Sequence, residues 1–125
     1  MEYKDRRSIY LQIADYMCEN ILKGTWRDND RVPSIREMAV ETEVNPNTVM
    51  RTYSHLQDKG IIQNQRGIGY FISDGAESLT QTMIRDEFIE NELPSFFRRL
   101  GILGITMEEL GVLYAEQSSE KGARE

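Results

Sequence analysis

The chain has 125 residues, a formal net charge of −6 and one cysteine, which is room for one ordinary domain or a small domain with a helical appendage. One cysteine excludes a disulfide within the chain and any thiolate zinc cluster. No apolar run is long enough to span a membrane and the opening residues MEYKDRRS carry no apolar signal segment, so a cytoplasmic location is expected.

Ile9, Ile13, Met17 and Ile21 recur every four residues, with Tyr10, Ala14 and Cys18 beside them. This spacing predicts a helix capped by Ser8 and stopped by Gly24, packed beneath the helices downstream of it. Cys18 inside that pattern reads as a buried, inert thiol. Residues 32–72 carry the densest punctuation. Ser34 follows Pro33 and precedes Glu37 by three positions, the spacing of a capping box. A short helix through Ile35, Met38 and Ala39 is then expected to stop near Glu43. Asn45 caps the next helix, and Pro46 takes its first position, where a missing N–H costs nothing. Val49, Thr52, Tyr53 and Leu56 form its inward stripe, and Gly60 ends it, giving a helix over residues 46–59.

Residues 61–65 and 70–73 are rich in β-branched and aromatic side chains and flank Arg66-Gly67-Ile68-Gly69. Two glycines supply the positive φ of a hairpin tip. As a phosphate loop the pair is poor, lacking the third glycine and opening no helix. Helix, turn, helix and glycine-tipped hairpin together predict a winged helix-turn-helix, whose second helix enters a DNA major groove.

Beyond the Asp74-Gly75 junction, Leu79, Met83, Ile84, Phe88 and Ile89 have helical spacing. Pro94 is expected to kink or break the helix near Leu93. Phe96, Phe97 and Leu100 come next, then Gly101 and Gly104. Thr106 with Glu109 predicts a second capping box ahead of Leu110, Leu113 and Tyr114, and residues 117–125 are polar and expected to fray. The fold class is therefore mainly α with a small β-hairpin. Residues 1–75 form a winged helix-turn-helix DNA-binding domain, and residues 76–125 a two-helix dimerisation extension. About 40 ordered residues are too few for a separate core. Their apolar surface must be covered by the winged helix itself or, the favoured case, by a second copy.

Charge divides unevenly. Residues 1–75 hold 10 Lys/Arg and 11 Asp/Glu, a balance of −1; residues 76–125 hold 5 and 10, a balance of −5. An acidic chain departs from the usual basic footprint of a DNA binder. Local arrangement decides phosphate contact, and Arg36, Arg51, Lys59 and Arg66 fall where a groove-facing surface is expected.

Pro33-Ser34-x-Arg36, Met38-Ala39, the run from Val44 to Val49, Tyr53-x-x-Leu56, Gly60 and Gly67-x-Gly69-x-Phe71 resemble the DNA-binding domain of the GntR family of bacterial transcription regulators. The run Ile9-Tyr10-Leu11-Gln12-Ile13 and Gly24-x-Trp26 fit the family's first helix and its exit. The resemblance covers about residues 7 to 73. Val32 stands where Leu is usual, and Thr42-Glu43 where Leu-Gly is common, which puts a Glu where the turn favours glycine. The short tail is similar to the YtrA-type subgroup. That similarity implies a homodimeric repressor binding an inverted repeat, with no large ligand-binding domain.

The DNA-binding set read from these motifs is Ser34, Arg36, Asn45, Asn47, Thr48, Arg51, Arg66 and Gly67. Arg36 reads as a DNA contact by resemblance and as a solvated arginine without it. Asn45, Asn47 and Thr48 crowd a helix N-terminus, which attracts phosphate; Asn45 also serves as a simple cap. Arg51 lies four residues after Asn47 and three after Thr48, hence on one face with them, with a surface salt bridge as its alternative. Met50 either touches a thymine methyl or is merely exposed. Arg66 and Gly67 at the wing tip would reach the minor groove or its phosphates.

Catalysis has little to stand on. His55 is the single histidine and is expected to face solvent or the DNA backbone. Asp86-Glu87, Glu90, Glu92 and Glu108-Glu109 read as solvated helix faces. No enzyme activity, metal, cofactor or membrane partner is expected, and no small-molecule effector is assigned. Double-stranded DNA is the expected partner. The alternative is a winged-helix protein-interaction adaptor.

Overall fold

The structure, a computed structural model, describes residues 7–124, with side chains as far as residue 120. Residues 1–6, most of the polar opening run, and residue 125 lie outside the described residues. The chain forms two compact units, Met1–Asp86 and Glu87–Glu125.

The first unit opens with α1 (Ile9–Leu22). Ile13, Ala14, Met17, Cys18 and Ile21 are buried on its inner face, while Ile9 stays 55% exposed, outside the core the spacing suggested. Ser8 does not cap through its side chain as expected. Its carbonyl accepts from the N–H groups of Leu11 and Gln12 at 3.0 and 3.1 Å instead. Gly24 leaves the helix at φ 79°.

The predicted capping box forms in full ahead of α2 (Ile35–Thr42). The Glu37 N–H donates to Ser34 Oγ at 3.0 Å and the Ser34 N–H donates to Glu37 Oε1 at 2.9 Å. The Ser34 N–H first, and then the Ser34 side chain, bond the Glu37 carboxyl and hold it below its ordinary pKa of 4.5. The chain then turns at Glu43, which adopts the left-handed conformation at φ 56° and ψ 40°. Next, α3 (Pro46–Asp58) buries Val49, Thr52, Tyr53 and Leu56, the stripe read from spacing. The Tyr53 hydroxyl donates to the Pro33 carbonyl, and its ring meets Tyr70 edge-on at 4.9 Å. Burial pushes the Tyr53 phenol pKa up, with Glu37 and Glu41 adding to the shift.

The wing is an antiparallel pair, β1 (Ile62–Gln65) and β2 (Gly69–Ile72), registered with Ile62 opposite Ile72 and Gln65 opposite Gly69. Residues 29–32 run along the free edge of β2. The Asn29 N–H donates to the Ile72 carbonyl at 2.8 Å, and the Val32 N–H to the Tyr70 carbonyl at 3.0 Å; Arg31 pairs with Phe71. Two side chains lock this arm to the hairpin exit. Asp28 accepts from the Gly75 N–H at 3.1 Å, and Asn29 donates to Asp74 at 2.9 Å.

Core residues Met17, Met38, Val49, Tyr53, Leu56, Ile61, Ile62 and Ile72 close the interior, and α4 (Ala76–Glu87) joins them. Ala76 and Thr80 are fully buried, with Met83 and Ile84 packed partly against the same core. The hydrophobic interior therefore extends past the Gly75 junction.

The second unit begins with a π-helical turn (Phe88–Glu92), followed by α5 (Leu93–Leu103) and α6 (Met107–Arg124). Pro94, expected to kink or break the helix near Leu93, does not interrupt it. It occupies the first turn of α5, and the turn before it widens to the π form. Gly104 caps α5 at φ 70°. The Thr106 hydroxyl accepts from the Glu109 N–H at 3.1 Å, the acceptor half of the box predicted there. The polar end expected to fray continues α6 to Arg124. From residue 87 to residue 120 no side chain is buried.

Candidate nucleic-acid interface

The predicted residues fall on three exposed features of the first unit: the start of α2, the start of α3 and the wing tip. Asn45 shapes the second of these. Its side-chain oxygen accepts from the Asn47 N–H at 2.8 Å, while its carbonyl accepts from Thr48 and Val49 at 2.9 and 3.2 Å. Pro46 fixes the first helical φ, and Asn45 and Asn47 both stay exposed. A helix N-terminus so arranged presents side-chain amides beside the positive end of the helix dipole. Thr48 is half-buried one residue further on, and Met50 is 50% exposed.

Arg36 stands exposed in the first turn of α2. Ser34, immediately before that helix, is partly committed. Its oxygen accepts from the Glu37 N–H, and its side chain also bonds the Glu37 carboxyl. At the wing tip the Ile68 N–H donates to the Gln65 carbonyl at 2.9 Å, closing a turn that exposes Arg66 and Gly67. Gly67 sits at φ 79°, where any side chain would be strained.

Arg51 does not form, among the described residues, the surface salt bridge that was its alternative reading; it leans on α1. Its guanidinium carbon lies 4.0 Å from the centroid of the Tyr10 ring, on α1. Among the described residues Arg36, Arg51 and Arg66 form no salt bridge. Three exposed cations on the reading elements are thus free of carboxylates. His55, expected to face solvent or backbone, is half-buried and meets the same Tyr10 ring edge-on at 6.1 Å.

Sequence reasoning missed two residues. Arg31 is exposed on the arm beside the wing, and its Nε lies 3.1 Å from where a Cβ on Gly69 would stand. Gly69 is therefore favoured by its backbone, at φ 142°, while a Cβ there would meet the Arg31 guanidinium closely enough to shift it by a few tenths of an ångström. Tyr10 is the second. Neither has a local pattern that could have flagged it, since each depends on a partner distant in sequence. Among the described residues no group of His, Cys, Asp and Glu could hold a metal ion, and no helix is long and apolar enough to cross a membrane.

Two helices joined by a tight turn, with a wing and an unspent set of cations around them, define a winged-helix DNA-binding transcriptional regulator. Residues 9–72 match the model of the bacterial regulatory proteins of the gntR family, and the chain belongs to that family. It is 38% identical to the transcriptional regulator YhcF of Bacillus subtilis (strain 168), over 87% of this chain and 88% of that one. It is 34% identical to the transcriptional repressor YtrA of the same organism, over 93% and 89%. A solved GntR-family regulator from Bacteroides thetaiotaomicron superposes with a TM-score of 0.80 at 44% identity, over 91% of this chain and 99% of that one.

Proposed function

We propose that this regulator is a homodimeric repressor that binds an inverted-repeat operator in cytoplasmic double-stranded DNA. The observation that carries the reading is the set of exposed arginines, Arg36, Arg51 and Arg66, which have no carboxylate partner among the described residues, on the helix-turn-helix and the wing. In this reading α3 lies in the major groove. Arg36 and Asn47 reach base edges; Thr48 and Arg51 hold phosphates, with Ser34 and Asn45 beside them; Arg66 and Gly67 approach the minor groove. Arg31 extends the cationic edge along the base of the wing.

Association through the chain beyond Gly75 accounts for the second unit. Phe88, Phe96, Phe97, Leu103, Val112 and Leu113 are each between 38% and 65% exposed there, and none is covered within the unit. A second copy would cover such a surface and supply the second reading head that an inverted repeat requires. Repression is argued from the similarity to YtrA, which bears that name.

A gel shift with the DNA upstream of its own gene, paired with sedimentation, tests the proposal. The full chain should sediment at twice its 14.5 kDa mass and shift that DNA at moderate salt. A monomer at tens of micromolar, where interfaces of about −6 to −7 kcal/mol already register, would remove the dimer. Absence of any shift would move the reading to a protein-interaction adaptor.

A further inference from the structure

We propose that Tyr10 is a positioning residue for DNA binding, holding the Arg51 guanidinium on its ring so that the cation is already placed when a phosphate arrives. The proposal rests on the reading of Arg51 as a phosphate contact. Three contacts tie Tyr10 to three positions of α3. Its ring lies 4.0 Å from the Arg51 guanidinium carbon, its carbonyl accepts from the Thr52 hydroxyl at 2.6 Å, and its ring meets the His55 ring edge-on at 6.1 Å and 82°. The Thr52 bond fixes where Tyr10 stands relative to the helix. With the backbone so placed, the ring spans the turn between Arg51 and His55.

The chemistry fits a holder rather than a competitor. An aromatic ring attracts a cation through its negative face. The donors of a guanidinium all point outward in its own plane, so a stacked Arg51 keeps N–H groups available for phosphate oxygens. A free arginine must give up rotamer freedom when it binds, and one already stacked has given it up on folding. Among the described residues no carboxylate contributes to holding Arg51. A salt bridge would have to be broken before phosphate could bind, whereas the ring need not be vacated.

The test is a double-mutant cycle on the full-length protein, read as affinity for a 30-bp mixed-sequence duplex over a salt series, with thermal unfolding alongside. Tyr10→Leu keeps an apolar side chain but removes the ring. It should weaken binding roughly two- to fivefold, and less than twofold in an Arg51→Ala background. Tyr10→Phe, which keeps the ring face, should restore the wild-type affinity. If Arg51→Ala leaves binding unchanged, or the wild type binds no duplex, the reading of Arg51 fails and the proposal with it. If Arg51→Ala weakens binding but the Tyr10→Leu loss is the same in both backgrounds, Arg51 stands and the positioning role is overturned. Tighter binding by Tyr10→Leu would also overturn it, because the ring would then be competing with DNA for the guanidinium.

Discussion

Replacing Glu43 by glycine is expected to stabilise the winged helix. Glu43 holds φ 56° and ψ 40° in the turn between α2 and α3, a conformation that costs an L-residue about 1–2 kcal/mol. Glycine removes that cost but loses more freedom on folding, a penalty of about 0.4–1 kcal/mol. The difference is a net gain of about 0.5–1 kcal/mol, which raises the unfolding midpoint by about 2–6 °C for a domain of this size. Little else is at stake. The Glu43 side chain is exposed and forms no hydrogen bond or salt bridge among the described residues. The backbone bonds of the turn, Glu43 N–H to the Val40 carbonyl and Val44 N–H to the Ala39 carbonyl at 3.1 Å, are open to glycine as well.

Urea unfolding of Glu43→Gly, Glu43→Asn and Glu43→Ala separates the backbone from the charge. Glycine should gain most and asparagine, which tolerates this conformation, somewhat less; alanine keeps the Cβ penalty and should stay near the wild type. An alanine variant as stable as the glycine one would refute the conformational argument, because charge removal alone would then explain the gain. All three substitutions delete a carboxylate two residues before Asn45. They should therefore tighten binding to DNA to a similar degree, whatever they do to stability.

Three further outcomes are expected. The double variant Phe97→Glu/Leu103→Glu should sediment as a monomer while keeping the circular dichroism of the folded first unit; a dimer would place the interface elsewhere. Tyr53→Phe leaves the half-buried Pro33 carbonyl without its donor and should cost about 1–2 kcal/mol in urea unfolding. Because folding raises the Tyr53 pKa above its ordinary 10.0, the stability this confers is complete below pH 10 and is lost as pH rises further, so the alkaline decline should flatten in Tyr53→Phe. Arg36→Ala should blur one operator position in each half-site, whereas Arg51→Ala should weaken all sequences alike and lower the salt slope by about one unit; exchanged phenotypes would reverse those two assignments.

What was legible in the sequence was local. The Ser34–Glu37 box, the Asn45-Pro46 start and the buried stripe of α3 all depend on spacings of three or four residues, which a helix converts directly into contact. The same logic failed wherever one residue type serves two geometries. Ser8 entered its helix through its carbonyl rather than its hydroxyl, and of the kink or break read at Pro94 the break is absent, proline taking a first-turn position that tolerates it. The arm from Asp28 to Val32 was invisible because its bonds go to the hairpin, not along its own chain. The site divides along the same line. Spacing put Arg51 on one face with Asn47 and Thr48, but periodicity reports only which face of a helix is buried, and says nothing of what an exposed side chain leans on. The contact that places Arg51 comes from α1, where the bonded pair Thr52 and Tyr10 stand 42 positions apart. A pattern of charges can therefore propose which cations meet DNA. How each is held, and so how much affinity it returns, is a property of packing between elements.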